Sequence, residues 1–242
     1  MRIGLHCMKC NILGPPYNEA GPKYMPLNDS GVYEYTCVNG HDVLTVLQQM
    51  RFEVLGEVGI QAIADGYYRD GVASFSASLE RFMQFYVEVV FLHRYKDQET
   101  LAKIWKIVEN QSERQLGMFI ATYLYETGEM PPILPQMSRD NAGSVNFRNG
   151  VIHKGLIPTE RQAVEFAQAV FNLVKPLLDN VRSQYMYAAK KAVVIHTGRT
   201  IAAAVDKSRF TSFAYQPMIY SSSSISTVEN EVVLRRKNFK CN

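Results

Sequence analysis

The chain has 242 residues, 47% of them hydrophobic and 20% charged, which fits a globular protein with a sizeable core. Four cysteines are too few for a disulfide scaffold and fit a reducing, cytoplasmic setting. No apolar run approaches the roughly 18–20 residues that span a bilayer, and Arg2, His6, Cys7 and Cys10 stand where a signal peptide would be apolar.

The net charge of +3 hides an asymmetry: residues 1–180 carry 16 Lys/Arg against 20 Asp/Glu, and residues 181–242 carry 10 against 3. A basic C-terminal segment on a mildly acidic body suits either a polyanion such as RNA or a solvated tail.

Residues 1–41 form the first expected module. They hold three of the four cysteines, Pro15, Pro16, Pro22 and Pro26, and glycines at 4, 14, 21, 31 and 40. That composition favours turns joined by short strands such as Val32–Thr36. Cys7-Met8-Lys9-Cys10 is a C-x2-C pair, and Cys37-Val38-Asn39-Gly40-His41 is a C-x3-H pair. Together Cys7, Cys10, Cys37 and His41 make the Cys3His set of a structural zinc ribbon, a staple that so small a Pro/Gly-rich stretch needs. His6 is an alternative fourth ligand, poorer because it adjoins Cys7. Four protein ligands leave no open position for water, so no catalytic metal is expected. Cys241 lies apart, in the tail.

From Asp42 the apolar residues Val43, Leu44, Val46, Leu47, Met50, Val54, Leu55 and Val58 predict a helix. A second helix follows from Phe75, Leu79, Phe82, Tyr86, Val89 and Val90, with Gly66 and Gly71 marking the break before it. A third is expected over residues 98–125 from Leu101, Ile104, Trp105, Val108, Phe119, Ile120 and Leu124. Pro131, Pro132 and Pro135 make a stiff loop. A short helix then carries Arg148 to His153 and stops at Gly155 and Pro158, after which Thr159 and Gln162 form a capping box for the next helix. Val164, Ala167, Val170, Phe171, Val174, Leu177 and Leu178 line that helix's buried side. Residues 221–224 and 229–242 read as a loop and a mobile tail.

The phrase Arg148-Asn149-Gly150-Val151-Ile152-His153 joins an arginine that keeps its charge to an imidazole that exchanges protons near neutral pH. Spacing alone is weak, since chance supplies about one Arg-x4–6-His match in a chain with 14 arginines and 5 histidines. Positions five apart also lie about 140° apart around a helix.

The surrounding residues add specificity. Arg148-Asn149-x3-His153, the Gly155-x2-Pro158-Thr159 turn, the helix Glu160–Leu178, and the segments Ala64–Asp70 and Ser76–Phe82 together resemble the HEPN superfamily, notably bacterial abortive-infection proteins. The resemblance covers roughly residues 42–180. It implies an all-α helical bundle that acts as a metal-independent endoribonuclease, dimeric so that two motifs face one cleft. It also implies His153 as general acid/base, Arg148 as anchor of the scissile phosphate, and Asn149 as an orienting or backbone-binding group. RNA supplies its own 2′-OH nucleophile, so the products would carry 2′,3′-cyclic phosphate and 5′-hydroxyl ends. The resemblance further implies antiphage defence or a toxin–antitoxin setting, with tRNA or mRNA as substrate and an antitoxin or defence-complex subunit as partner. With the ribbon at residues 1–41, the expected domains are this ribbon, the HEPN-like body 42–180, and a basic extension 181–242. The alternative is a non-catalytic RNA-binding or assembly module whose ribbon recognises a partner.

Lesser candidates are Glu80 and Arg81 as partners of the motif or as a solvated or interhelical salt bridge, His93-Arg94 as a helix end, and His196 with Arg199 as RNA contacts or surface residues. Tyr185, Tyr187, Phe210, Phe213 and Tyr215, interleaved with Lys190, Lys191, Lys207 and Arg209, suit either RNA stacking or helix packing. No P-loop, Rossmann glycine pattern, H-E-x-x-H or G-x-S-x-G occurs.

Overall fold

The computed structural model describes residues 1–95, 97–138, 140–202, 210–214, 220 and 227–239. Of the residues named above, Lys207, Arg209, Tyr215, residues 221–224 and Cys241 lie outside them. The chain is mostly helical, with two small sheets. It divides into two compact units that are both discontinuous: residues 1–50 with 193–217, and residues 51–192 with 218–242. These units differ from the three consecutive segments expected, because strand pairing and helix docking bring distant stretches of chain together.

In the first unit β1 (Arg2–Leu5) pairs antiparallel with β2 (Lys23–Pro26), and between them lie α1 (Met8–Leu13) and a 3-10 turn at Tyr17–Ala20. A three-stranded sheet follows in the order β3 (Val32–Thr36), β4 (Asp42–Leu47), β5 (Phe210–Ala214). Strand β3 is antiparallel to β4, and β5 is parallel to β4. The helix expected from Asp42 is therefore a strand up to Leu47, and helix starts only at Arg51. Val43–Leu47 is buried at every position and so on both faces of β4, which leaves no polar alternation to mark a strand and lets its apolar residues mimic a helical side.

The second unit is a helical bundle built on α3 (Tyr68–Arg94), which packs against α2 (Arg51–Ala64), α7 (Glu160–Gln184), α5 (Ser112–Thr127) and α6 (Val145–His153). Phe75, Phe82, Tyr86, Val89 and Val90 form its buried stripe, as the periodicity predicts. Gly66, at φ +87°, breaks the chain between α2 and α3. Gly71 instead lies inside α3, where an added Cβ would sit 2.5 Å from Ile63 Cγ1. It is a contact glycine that lets the two helices approach closely.

The single helix expected over residues 98–125 is two: α4 (Gln98–Val108), capped by Asp97, and α5. The carbonyl of Glu109 accepts from the Gln115 side chain at 2.6 Å, which stabilises the turn between them. The capping box of Thr159 and Gln162 at the start of α7 forms as expected. After α7 comes α8 (Met186–Ala202).

Residues 229–239 are not a tail but part of α9 (Val228–Phe239). Val228 and Val232, one turn apart, are buried, and Arg236 donates to the last carbonyls of α2, Ala64 at 3.0 Å and Ile63 at 3.3 Å, and to Glu160 at 2.7 Å. Arg235 pairs with Glu57 and Glu231, and Arg182 with Glu53. Part of the C-terminal basic charge is thus spent on acidic residues of this same unit.

Among the described residues no helix is long and apolar enough to cross a membrane.

Candidate functional site

Two constellations carry chemistry, one in each unit. The first is the Cys/His cluster. Cys7 and Cys10 stand at and just inside the start of α1, so the first ligand pair lies on a helix start rather than on a tight turn. Cys37 and His41 flank the turn between β3 and β4, closed by Cys37 N–H to the His41 carbonyl at 2.9 Å and Gly40 N–H to the Cys37 carbonyl at 2.9 Å. Gly40 takes φ +77°, a left-handed conformation that suits glycine at this tight turn.

The four ligand atoms all lie within 4.8 Å of one another. Cys10 Sγ is 3.7 Å from Cys37 Sγ, and His41 Nδ1 is 3.3 Å from Cys10 Sγ and 3.7 Å from Cys7 Sγ. A tetrahedral zinc with ordinary bond lengths sets S···S edges of about 3.8 Å and S···N edges of about 3.6 Å. The donor set and its spacing therefore fit one tetrahedral ion such as zinc, bound through Nδ1 of His41. Among the described residues His6 is not one of the four; it is exposed on a cleft beside Cys7.

The surroundings act in opposite directions on Cys37 and Cys7. Asn39 Nδ2 donates to Cys10 Sγ at 3.2 Å and to the Tyr17 carbonyl at 2.9 Å. Burial pushes the Cys37 thiol up, but backbone N–H groups of His41 and Asn39, with the Cys10 and Cys7 side chains, outweigh it and hold it below the ordinary value. Cys7 is raised, first by burial. No disulfide joins Cys7, Cys10 and Cys37. Tyr35 and Val43 pack against them, and burial pushes the Tyr35 hydroxyl up to about 12.

The second constellation gathers on α3 and α6. Ser144 caps α6, its hydroxyl accepting from Phe147 N–H at 3.1 Å. Phe147, Gly150 and Val151 bury one face of the helix, and the Phe147 ring lies 6.1 Å from that of Phe166. Arg148 flanks this buried face and reaches α3. Its Nε donates to Ser76 Oγ at 2.7 Å, its Nη2 to Glu80 Oε1 at 2.6 Å, and its Nη1 to Asn149 Oδ1 at 3.1 Å. The pair is sheltered: the Arg148 side chain is 21% exposed and that of Glu80 29%.

His153 closes the last turn of α6 and is exposed. Among the described residues no hydrogen bond joins it to Arg148. The structure thus joins Arg148, Asn149, Glu80 and Ser76 by hydrogen bonds and leaves His153 outside that bonded set, in keeping with the 140° offset. Arg81 turns elsewhere, to Gln84 and Gln115. Sequence reasoning missed Ser76; the available signal was its i, i+4 spacing from Glu80, which puts both on one face of α3.

Of the lesser candidates, Tyr187 is exposed, whereas Tyr185 donates to Glu126 and stacks edge-on with His93, so it serves packing.

No known protein family, curated protein or solved structure matches this chain.

Proposed function

We propose that this protein is a metal-independent endoribonuclease with a zinc-stapled N-terminal module, working as a homodimer. The supporting observation is the state of Arg148. Its guanidinium is gripped by three acceptors on two helices, on a short capped helix whose last turn carries an exposed histidine. Among the described residues, three of its five N–H donors are engaged, which leaves one on each terminal nitrogen for a phosphate oxygen.

In this reading the RNA 2′-OH attacks the adjacent phosphorus. His153 takes that proton or protonates the departing 5′ oxygen, and Arg148 stabilises the extra negative charge of the phosphorane. A single histidine does not easily serve both ends of the reaction, and a second chain supplies another. Asn149 accepts from Arg148 and so helps to orient it. Cys7, Cys10, Cys37 and His41 would hold zinc, whose contribution is to cross-link the two ligand turns; no reaction step passes through it. Antiphage defence or a toxin–antitoxin module is the setting that the HEPN resemblance suggests.

The test is direct. Purified protein mixed with total RNA in the presence of EDTA is expected to leave 2′,3′-cyclic phosphate and 5′-hydroxyl ends, and Arg148→Ala or His153→Ala to leave none. If wild type and both variants treat RNA alike, the protein is a non-catalytic RNA-binding or assembly module instead.

A further inference from the structure

We propose that Ser76 and Glu80 are positioning residues for Arg148, and that the Glu80 carboxylate also cancels the arginine's charge until a phosphate replaces it. This rests on the ribonuclease reading above and concerns how that site is held ready.

The geometry separates this role from a simple tie between helices. Ser76 and Glu80, one turn apart on α3, take Nε and Nη2, while Asn149 takes Nη1 from α6. Acceptors on both helices fix the plane of the guanidinium, whereas one ion pair would leave it free to turn about its own axis. Helix α6 is already docked without them, through the buried Phe147, Gly150 and Val151. A bare tie would not need three acceptors.

The charge has its own consequence. Arg148 and Glu80 meet at 2.6 Å with both side chains largely shielded from water, so the resting pair presents little net field to a polyanion. An incoming phosphate finds one N–H on each terminal nitrogen in a set orientation and competes with the carboxylate for the cation. Glu80 therefore weakens ground-state attraction for RNA while raising the fraction of bound RNA held for reaction. Removing it acts in opposite directions on affinity and on turnover.

The experiment measures cleavage kinetics in the wild-type background and RNA affinity in the His153→Ala background, where the probe, a fluorescently labelled single-stranded RNA, stays intact. Glu80→Ala is expected to lower kcat about 100-fold, the scale of a misplaced catalytic group, while RNA affinity is unchanged or tighter. Glu80→Gln keeps an acceptor at the same reach and is expected to recover most of kcat with tighter RNA binding. Glu80→Asp, one methylene short, is expected not to recover kcat. Ser76→Ala removes one acceptor and no charge, and is expected to lower kcat about tenfold at constant affinity. A structural role alone would lower affinity and kcat together and track the melting temperature. That pattern, or a Glu80→Ala protein that cuts like wild type, overturns the inference alone. A wild-type protein that leaves RNA uncut overturns the ribonuclease reading, and the inference with it.

Discussion

The Tyr185 hydroxyl donates to Glu126 Oε1 at 2.8 Å, and the same carboxylate is gripped on both oxygens by Arg94 at 2.9 Å. Three helix ends, those of α3, α5 and α7, meet at this one nearly buried acid. Burial alone would raise the Glu126 pKa, but the hydrogen bonds from Arg94 and Tyr185 win and lower it. Burial and the Glu126 bond push the Tyr185 hydroxyl the other way, up to about 12. A carboxylate lowered by folding adds stability above its unfolded pKa, about 4.3, and loses it as pH falls through the lower folded value. A phenol raised by folding adds stability below about 10 and loses it as pH rises through its folded value. Urea unfolding is therefore expected to show a plateau from about pH 5 to about pH 9, with both limbs falling. Glu126→Gln should flatten the acid limb and Tyr185→Phe the alkaline one; limbs unchanged by either variant would remove this cluster from the account.

Gly59 and Gly71 set how closely α2 and α3 approach. A Cβ at Gly59 would lie 2.6 Å from Phe75 Cδ2, and one at Gly71 2.5 Å from Ile63 Cγ1. Both neighbours are held in the core, so they cannot simply swing away. Alanine at either position is expected to destabilise the protein by about 1–3 kcal/mol despite its better helix propensity. Denaturant midpoints measure this, and a stabilised Gly71→Ala would show that the interface has slack.

The Cys/His cluster predicts one zinc per chain. His41→Ala and Cys10→Ser should lose the metal by elemental analysis, whereas His6→Ala should keep it. Loss should expose residues 1–50 to protease while the far-ultraviolet signal of the helical unit persists, because a small Cys/His module depends on its metal and the bundle has its own core. Zinc retained in His41→Ala would mean that another residue completes the set.

Arg148→Lys retains the charge but not the fork. A single ammonium on a shorter, rounder end cannot reach Ser76, Glu80 and Asn149 in their present places. The variant is expected to lose RNA cleavage and about 1 kcal/mol of stability, a modest cost because the site is partly solvated. Full activity in the lysine variant would mean that only a point charge matters.

Local features were legible in the sequence, and features completed from afar were not. The Thr159–Gln162 box, the α3 stripe and the Cys/His set each lie within a short window or carry their own spacing rule. Strand β4 carries no local sign of its place in a sheet, because its second neighbour, β5, lies more than 160 residues further along the chain. Helix α9 resembles a tail in the sequence because it offers few buried apolar residues and docks through arginines whose acids sit on α2 and α7. Arg148 and Glu80 were each visible as candidates. Ser76 was not, since its role exists only once α3 and α6 are side by side.

The parallel pairing of β5 with β4 has a consequence for how the chain comes to life on the ribosome. The β3-β4-β5 sheet of the first unit remains two-stranded until residue 214 has left the exit tunnel, while the helices from α2 to α7 can already have collapsed. The N-terminal unit, synthesised first, is thus finished late. A fragment cut at residue 50 would carry β4 with a bare edge and invite pairing with other chains. Dissecting this protein into its two units therefore calls for a circular permutation or a stitched loop rather than a single scission.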